Sequence, residues 1–174
     1  MKYTEQNFEE HIEEHLLNSN YVKRLPTDYD KDLCLIPSEV LKFIQSTQPD
    51  EYDKLTLQYG DSTPIKLCQR LAQEINSKGS LQILRKGIKD HGCSFRLAYF
   101  QPSSGMNPEH QVLYRQNQFS VVRQLKYSNK NENSIDIVIF LNGIPIITAE
   151  LKNSITGQTV EQAINQYKKD RSHN

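Results

Sequence analysis

Residues 133–153, NSIDIVIFLNGIPIITAELKN, narrow the choice of fold more than any other stretch of the chain. Two runs rich in Ile, Val and Phe, 135–141 and 144–151, flank Asn142-Gly143, a pattern that closes as a β-hairpin. Each run is interrupted by an acid: Asp136 near the start of the first strand and Glu150 near the end of the second. Burying a carboxylate is costly unless a cation or a hydrogen-bonding partner compensates it. Side chains two apart on a strand share a face, so Glu150 and Lys152 point the same way.

Whether Asp136 joins them depends on the turn. A two-residue Asn142-Gly143 loop pairs Leu141 with Ile144 and turns Asp136 to the face opposite Glu150. A three-residue Leu141-Asn142-Gly143 loop pairs Phe140 with Ile144 and puts Gly143 in the left-handed position of a G1 bulge. Glu150 then becomes the diagonal neighbour of Asp136, roughly 7–8 Å away between backbones. The expectation is the three-residue register or an equivalent bulge. Two carboxylates on one face can share magnesium, which favours hard oxygen ligands and keeps several waters. Such a metal acidifies a bound water and polarises a phosphate, as phosphodiester hydrolysis requires. Lys152 would position or deprotonate the attacking water, or offset developing charge, and Leu151 could add its carbonyl as a third ligand. The plain alternative is a solvated Glu-x-Lys on a wet strand face.

Around this hairpin the periodicity is first helical. Phe8, Ile12 and Leu16 form one stripe of a helix over about 4–18. Ser38 caps a second helix through Gln45, stopped by Thr47-Gln48-Pro49-Asp50, and Pro26 to Asp32 reads as a loop. Thr63-Pro64 opens a third helix with Leu67, Leu71 and Ile75 on one side. Past Gly79-Ser80 a short fourth carries Leu81, Leu84 and Ile88. From Ser94 the period falls to two: Phe95, Leu97 and Tyr99 alternate in a strand ended by Pro102 to Gly105. A short helix over about 107–114 and a strand over 119–126 lead into the hairpin. Thr159-Val160-Glu161-Gln162 is a capping box for a last helix with Val160, Ala163, Ile164 and Tyr167 on its apolar face. Helices, strands and a closing helix make the fold class α/β, with α+β as the alternative.

Composition narrows the setting. At 174 residues the chain is long enough to bury a core without staples. Its three cysteines, Cys34, Cys68 and Cys93, form no CxxC pair and read as reduced thiols of a cytoplasmic protein. No secretory signal or membrane-length apolar run is present. The 21 Lys and Arg are balanced by 21 Asp and Glu, which is not the charge of a stand-alone DNA binder. The clusters Arg85-Lys86-Lys89 and Lys168-Lys169-Arg171 read first as solvated helix faces.

SIDIVIFLNGIPIITAELKN followed by TGQTVEQAINQYKKDR resembles the nuclease domain of the R (restriction) subunit of type I restriction–modification enzymes. VVRQLKYS, LQILRKGIKDHG, FRLAYFQP and TEQNFEEHI extend the likeness over essentially the whole chain, with residues 20–60 the least motif-like. The resemblance implies a PD-(D/E)xK core: a restriction-endonuclease-like mixed sheet flanked by helices, here with a helical insertion over about 38–90 and a catalytic core over about 94–171. It implies a single nuclease domain that cuts double-stranded DNA with magnesium. Asp136 and Glu150 match the metal-binding acids and Lys152 the catalytic lysine. An N-terminal helix of this fold often brings another acid near the metal; Glu9 is the first choice, with Glu5 and Glu13 as rivals. Many relatives carry Gln-xxx-Tyr on the helix after the lysine. This chain departs from it, since no tyrosine follows Gln166 at that spacing; Gln166 is the first choice for the role and Gln162 the second, while Tyr167 reads as packing.

In the family an ATP-driven motor follows, along with segments that bind the modification and specificity subunits. This chain has no GxxxxGK[ST] loop, so ATP would be used by the rest of the subunit, and the sequence looks like an N-terminal fragment. Two other readings stay open: a non-catalytic docking module of the R subunit, and another PD-(D/E)xK DNA repair nuclease.

Overall fold

The computed structural model describes residues 5–103, 107–130, 132–151 and 164. Its architecture is mixed α/β. Helix α1 (Glu5–Asn18) leads into the two-residue strand β1 (Val22–Lys23), and a 3-10 turn at Pro26–Asp28 follows. A helical layer comes next: α2 (Pro37–Thr47), α3 (Pro49–Tyr59), α4 (Thr63–Lys78) and α5 (Ser80–Lys86). The small antiparallel pair β2 (Ile88–Asp90) and β3 (Cys93–Phe95) and the helix α6 (Pro108–Arg115) connect it to β4 (Phe119–Lys126), β5 (Ser134–Leu141) and β6 (Ile144–Ala149). The main sheet runs β1-β4-β5-β6; β1 is parallel to β4 and the other neighbours are antiparallel.

Several elements depart from the sequence pattern. Pro49 opens a helix as well as closing one: lacking an N–H, proline suits a first helical turn, and α3 begins there and buries Leu55. Gly87 ends α5, so Ile88 belongs to β2 rather than to a helical stripe. The strand expected through Tyr99 stops at Phe95 because side chains take over its backbone groups. The Arg96 amide donates to Gln48 Oε1 (2.7 Å) and the Tyr99 amide to Asn117 Oδ1 (3.2 Å), while the Leu97 carbonyl accepts from Asn142 Nδ2 (2.9 Å). The backbone is satisfied without a ladder, and Leu97 is still fully buried.

The largest inversion is in α1. Phe8, expected on its buried stripe, is 53% exposed, whereas Glu9 and Glu13 are 5% and 6% exposed. This helix turns acids towards the sheet because β4 offers Arg123 in return. The core lies elsewhere. Leu35, Val40, Ile44, Leu67 and Leu71 anchor the helical layer, and Ile36, Val122, Val138 and Phe140 join α2's start to the sheet. Glu39 on α2 is 3% exposed and fully engaged. It accepts from Arg24 Nε (2.7 Å), Gln118 Nε2 (2.9 Å) and Ser120 Oγ (2.8 Å), which ties α2 to the β1–β4 edge.

Candidate metal centre at the open end of the hairpin

The hairpin turn is a two-residue loop, not the three-residue loop expected. Leu141 pairs with Ile144, and Asn142 and Gly143 both have positive φ (51° and 81°), the conformation in which Asn-Gly closes a tight hairpin. Asn142 is buried and holds the turn in place: its Oδ1 accepts from the Gln118 amide (2.8 Å), and its Nδ2 donates to the Leu97 carbonyl and to Asn117 Oδ1 (3.0 Å).

The shift of face is supplied one step along β6. Phe140 pairs with Pro145, but Ile139 pairs with Ile147, so Ile146 is an extra residue on β6. Proline cannot donate to a ladder, and the bulge falls beside Pro145. Beyond it Val138 faces Thr148 and Ile137 faces Ala149. Carried one pair further, this register sets Glu150 opposite Asp136 and on its face. The bulge alternative therefore holds in place of the turn geometry. Glu150 follows the last residue of β6 and is half-buried.

Asp136, also half-buried, uses both carboxylate oxygens. Oδ2 accepts from the Leu151 amide (2.7 Å), across the open end of the hairpin, and Oδ1 accepts from Gln124 Nε2 (3.1 Å). The same Gln124 nitrogen donates to Glu9 Oε1 (2.8 Å). One side-chain amide thus joins an acid of α1 to an acid of β5. Gln124 stands opposite Asp136 between the paired positions Arg123–Ile137 and Leu125–Ile135, with φ at 50°. This left-handed step breaks the strand's alternation: Val122 and Leu125, three apart, pack in the same cluster.

Arg123 completes the surroundings. Its guanidinium reaches Glu9 Oε2 (3.4 Å), Glu10 Oε1 (3.8 Å) and Glu13 Oε2 (3.3 Å). Glu13 also takes Lys23 Nζ at 2.7 Å, so its bonded oxygen is spent on two cations at the sheet edge, whereas Glu9 faces Gln124 and Asp136. Among the three acids considered on α1, the described contacts bring Glu9 towards Asp136. The Glu5 side chain lies outside the described residues, as do Lys152, Gln162, Gln166 and Tyr167. Sequence reasoning passed over Gln124 and Arg123, and nothing local in VVRQLK announces a positive φ at a glutamine.

The donor set is of the kind magnesium takes: carboxylate oxygens from α1 and β5 converging on one point, with Glu150 next in the ladder. Among the described residues no group of three or more His, Cys, Asp or Glu side chains is placed to hold a metal ion by itself, so waters would have to complete a coordination shell. The cysteines take no part. All are free; Cys34 is exposed, Cys68 and Cys93 are buried, and burial pushes the Cys68 thiol up to about 11.

A second feature lies at the other end of β5. The segment whose Leu97 carbonyl binds the turn residue Asn142 borders a groove of about 600 Å³. Lys86, Lys89, Arg96 and His110 line it with Tyr99 and Phe100, and among the described residues no acid does. Among the described residues none of Lys86, Lys89 and Arg96 is in a salt bridge, whereas Lys23, Arg24, Lys54, Arg70, Lys78, Arg123 and Lys126 all are.

Comparison with known families places the chain independently of this geometry. Residues 2–174 match the family described as the type I restriction enzyme R protein N terminus, and the chain belongs to that family. No curated protein and no solved structure matches it.

Proposed function

We propose that this chain is the magnesium-dependent endonuclease domain of a type I restriction R subunit and that it hydrolyses phosphodiester bonds of double-stranded DNA. The observation that carries the reading is the convergence of Glu9 and Asp136 on one amide, beside the strand end that bears Glu150. Two carboxylates that share one donor each raise the cost of the other's charge, and a divalent cation held between them would offset it.

In this reading Asp136, Glu150 and Glu9, with the Leu151 carbonyl, would hold the magnesium. When bound, the ion would supply an acidified water and a polarised phosphate. The chain's own residues do the rest. The Leu151 amide fixes Asp136 Oδ2 and leaves Oδ1 directed at the shared point. Arg123 fixes Glu9 from the other side. Lys152, two residues beyond Glu150, orients the attacking water or takes its proton, and Gln166 orients the DNA. The groove lined by Lys86, Lys89 and Arg96 takes backbone phosphates. ATP-driven movement and sequence recognition fall to other parts of the subunit and to the modification and specificity subunits.

The test uses the complete R subunit assembled with its partners. Lys152→Ala is expected to abolish DNA cleavage while ATP hydrolysis and assembly persist, and Asp136→Ala/Glu150→Ala is expected to do the same. Cleavage retained by both variants would refute the catalytic assignment and favour a docking role for this region.

A further inference from the structure

We propose that Gln124 is a placeholder for the cation: its side-chain amide occupies the point between Glu9 and Asp136 in the metal-free chain and leaves when a divalent ion arrives. This rests on the magnesium reading above and adds a competitor internal to the site.

The hydrogen bonds are stoichiometric. A primary amide has two N–H groups, and here two carboxylate oxygens accept from the one nitrogen, at 2.8 Å from Glu9 and 3.1 Å from Asp136. The amide oxygen is held from behind by Ser134 Oγ (2.8 Å), a hydroxyl that can donate to it. The two carboxylates fix the orientation, since the flipped amide would aim its oxygen at them, and the Ser134 hydroxyl can donate to the oxygen left on the other side. Arg123 binds the outer oxygen of Glu9, so the inner oxygens of the pair are countered by the dipole of a neutral group. A dication counters them far better. It also needs them closer: oxygen–magnesium distances are about 2.0–2.1 Å, and an amide nitrogen cannot stay between oxygens drawn in that far. The two occupants exclude each other.

The backbone is arranged for release. Gln124 is exposed, so its side chain has solvent to swing into, and its φ of 50° is a conformation that non-glycine residues take only under constraint. The flanking ladder pairs and the packing of both Val122 and Leu125 hold that step, so the amide can leave without the strand rearranging. The site is then held in shape without metal at the expense of metal affinity.

The experiment is a Mg²⁺ titration of the 174-residue chain, followed by calorimetry and by melting temperature. It compares the unaltered protein with Gln124→Ala and with Gln124→Gly, which tolerates the positive φ and keeps the test meaningful if the alanine variant folds poorly. Both variants are expected to melt lower without metal, to gain more on adding Mg²⁺, and to bind Mg²⁺ about tenfold more tightly, the scale of one charge-assisted hydrogen bond. Binding detectable only in the variants supports the proposal equally. If the unaltered chain binds Mg²⁺ and the variants bind it no more tightly, with the same thermal gain, Gln124 is structural and the placeholder is refuted while the metal centre stands. If neither the unaltered chain nor any variant binds Mg²⁺, the metal centre falls and the placeholder with it. A Glu9→Gln/Asp136→Asn variant that loses the binding fixes the signal to this site.

Discussion

Two buried carboxylates show how differently the same functional group is used in this molecule. Glu39 is surrounded by donors that have no other function to serve: a guanidinium, an amide and a hydroxyl, all within 2.9 Å. Glu9 instead shares its donors with a second acid and with a helix neighbour. The first arrangement is complete, whereas in the second one amide nitrogen serves two acids. Replacing Glu39 with alanine would strand the Ser120 hydroxyl, which is fully buried, and leave Arg24 facing an empty pocket. Breaking a buried charge pair from one side costs about 3–5 kcal/mol. Since the Arg24 side chain is 29% exposed, the lower end applies, and urea denaturation of Glu39→Ala should read a loss of about 3 kcal/mol. A loss below about 1 kcal/mol would mean that solvent already satisfies this site.

Among the elements, the hairpin does most to position the site, and its turn has little freedom. A Cβ on Gly143 would stand 2.5 Å from the Ile36 carbonyl oxygen and 2.8 Å from Val40 Cγ2, at a φ of 81°. The Ile36 amide also donates to the Gly143 carbonyl (2.9 Å), so the turn cannot retreat without losing α2. Gly143→Ala therefore combines backbone strain with an overlap and is expected to cost on the order of 3 kcal/mol. Equal stability of that variant by thermal and urea unfolding would show that the turn is not pinned by α2. The hairpin was legible because alternation and Asn-Gly are local signals. Its bulge was half legible: weighing the turn alone puts the extra residue at Gly143, whereas Pro145, which cannot donate, marks where the ladder slips. The α3 helix hid behind Pro49, which serves as a stop and a start at once. The acid-lined face of α1 was not readable from its own sequence, because the partner that makes it favourable, Arg123, is 110 residues from Glu13. Asp136 and Glu150 could be picked out by their apolar neighbours, and Glu9 only through the resemblance. Gln124 could not be found, since nothing in its local sequence announces a positive φ.

At the scale of the whole molecule the question is how a chain with 21 basic and 21 acidic residues meets a polyanion. Net charge is the wrong measure if the signs are sorted in space. On α1 Glu13 takes Lys23 at the sheet edge and Glu9 takes Arg123 beside the proposed metal centre, and Glu74 takes Arg70 and Lys78 on α4. Lys86, Lys89 and Arg96 have no carboxylate partner among the described residues, and they share a groove that no acid among those residues lines. Unpaired cations release counterions from DNA, and the affinity they add falls by about 0.9 logarithmic units per tenfold rise in salt for each phosphate neutralised. Lys86→Gln/Lys89→Gln should therefore weaken binding of a DNA duplex and reduce the slope of log affinity against log salt by roughly two. Arg70→Gln/Lys78→Gln removes the same formal charge from residues that already have a partner, and it should leave the slope nearly unchanged. Fluorescence anisotropy at several salt concentrations reads both. Equal slopes in the two double variants would mean that DNA responds to the overall field of the protein, and the groove would then have no special part in holding it.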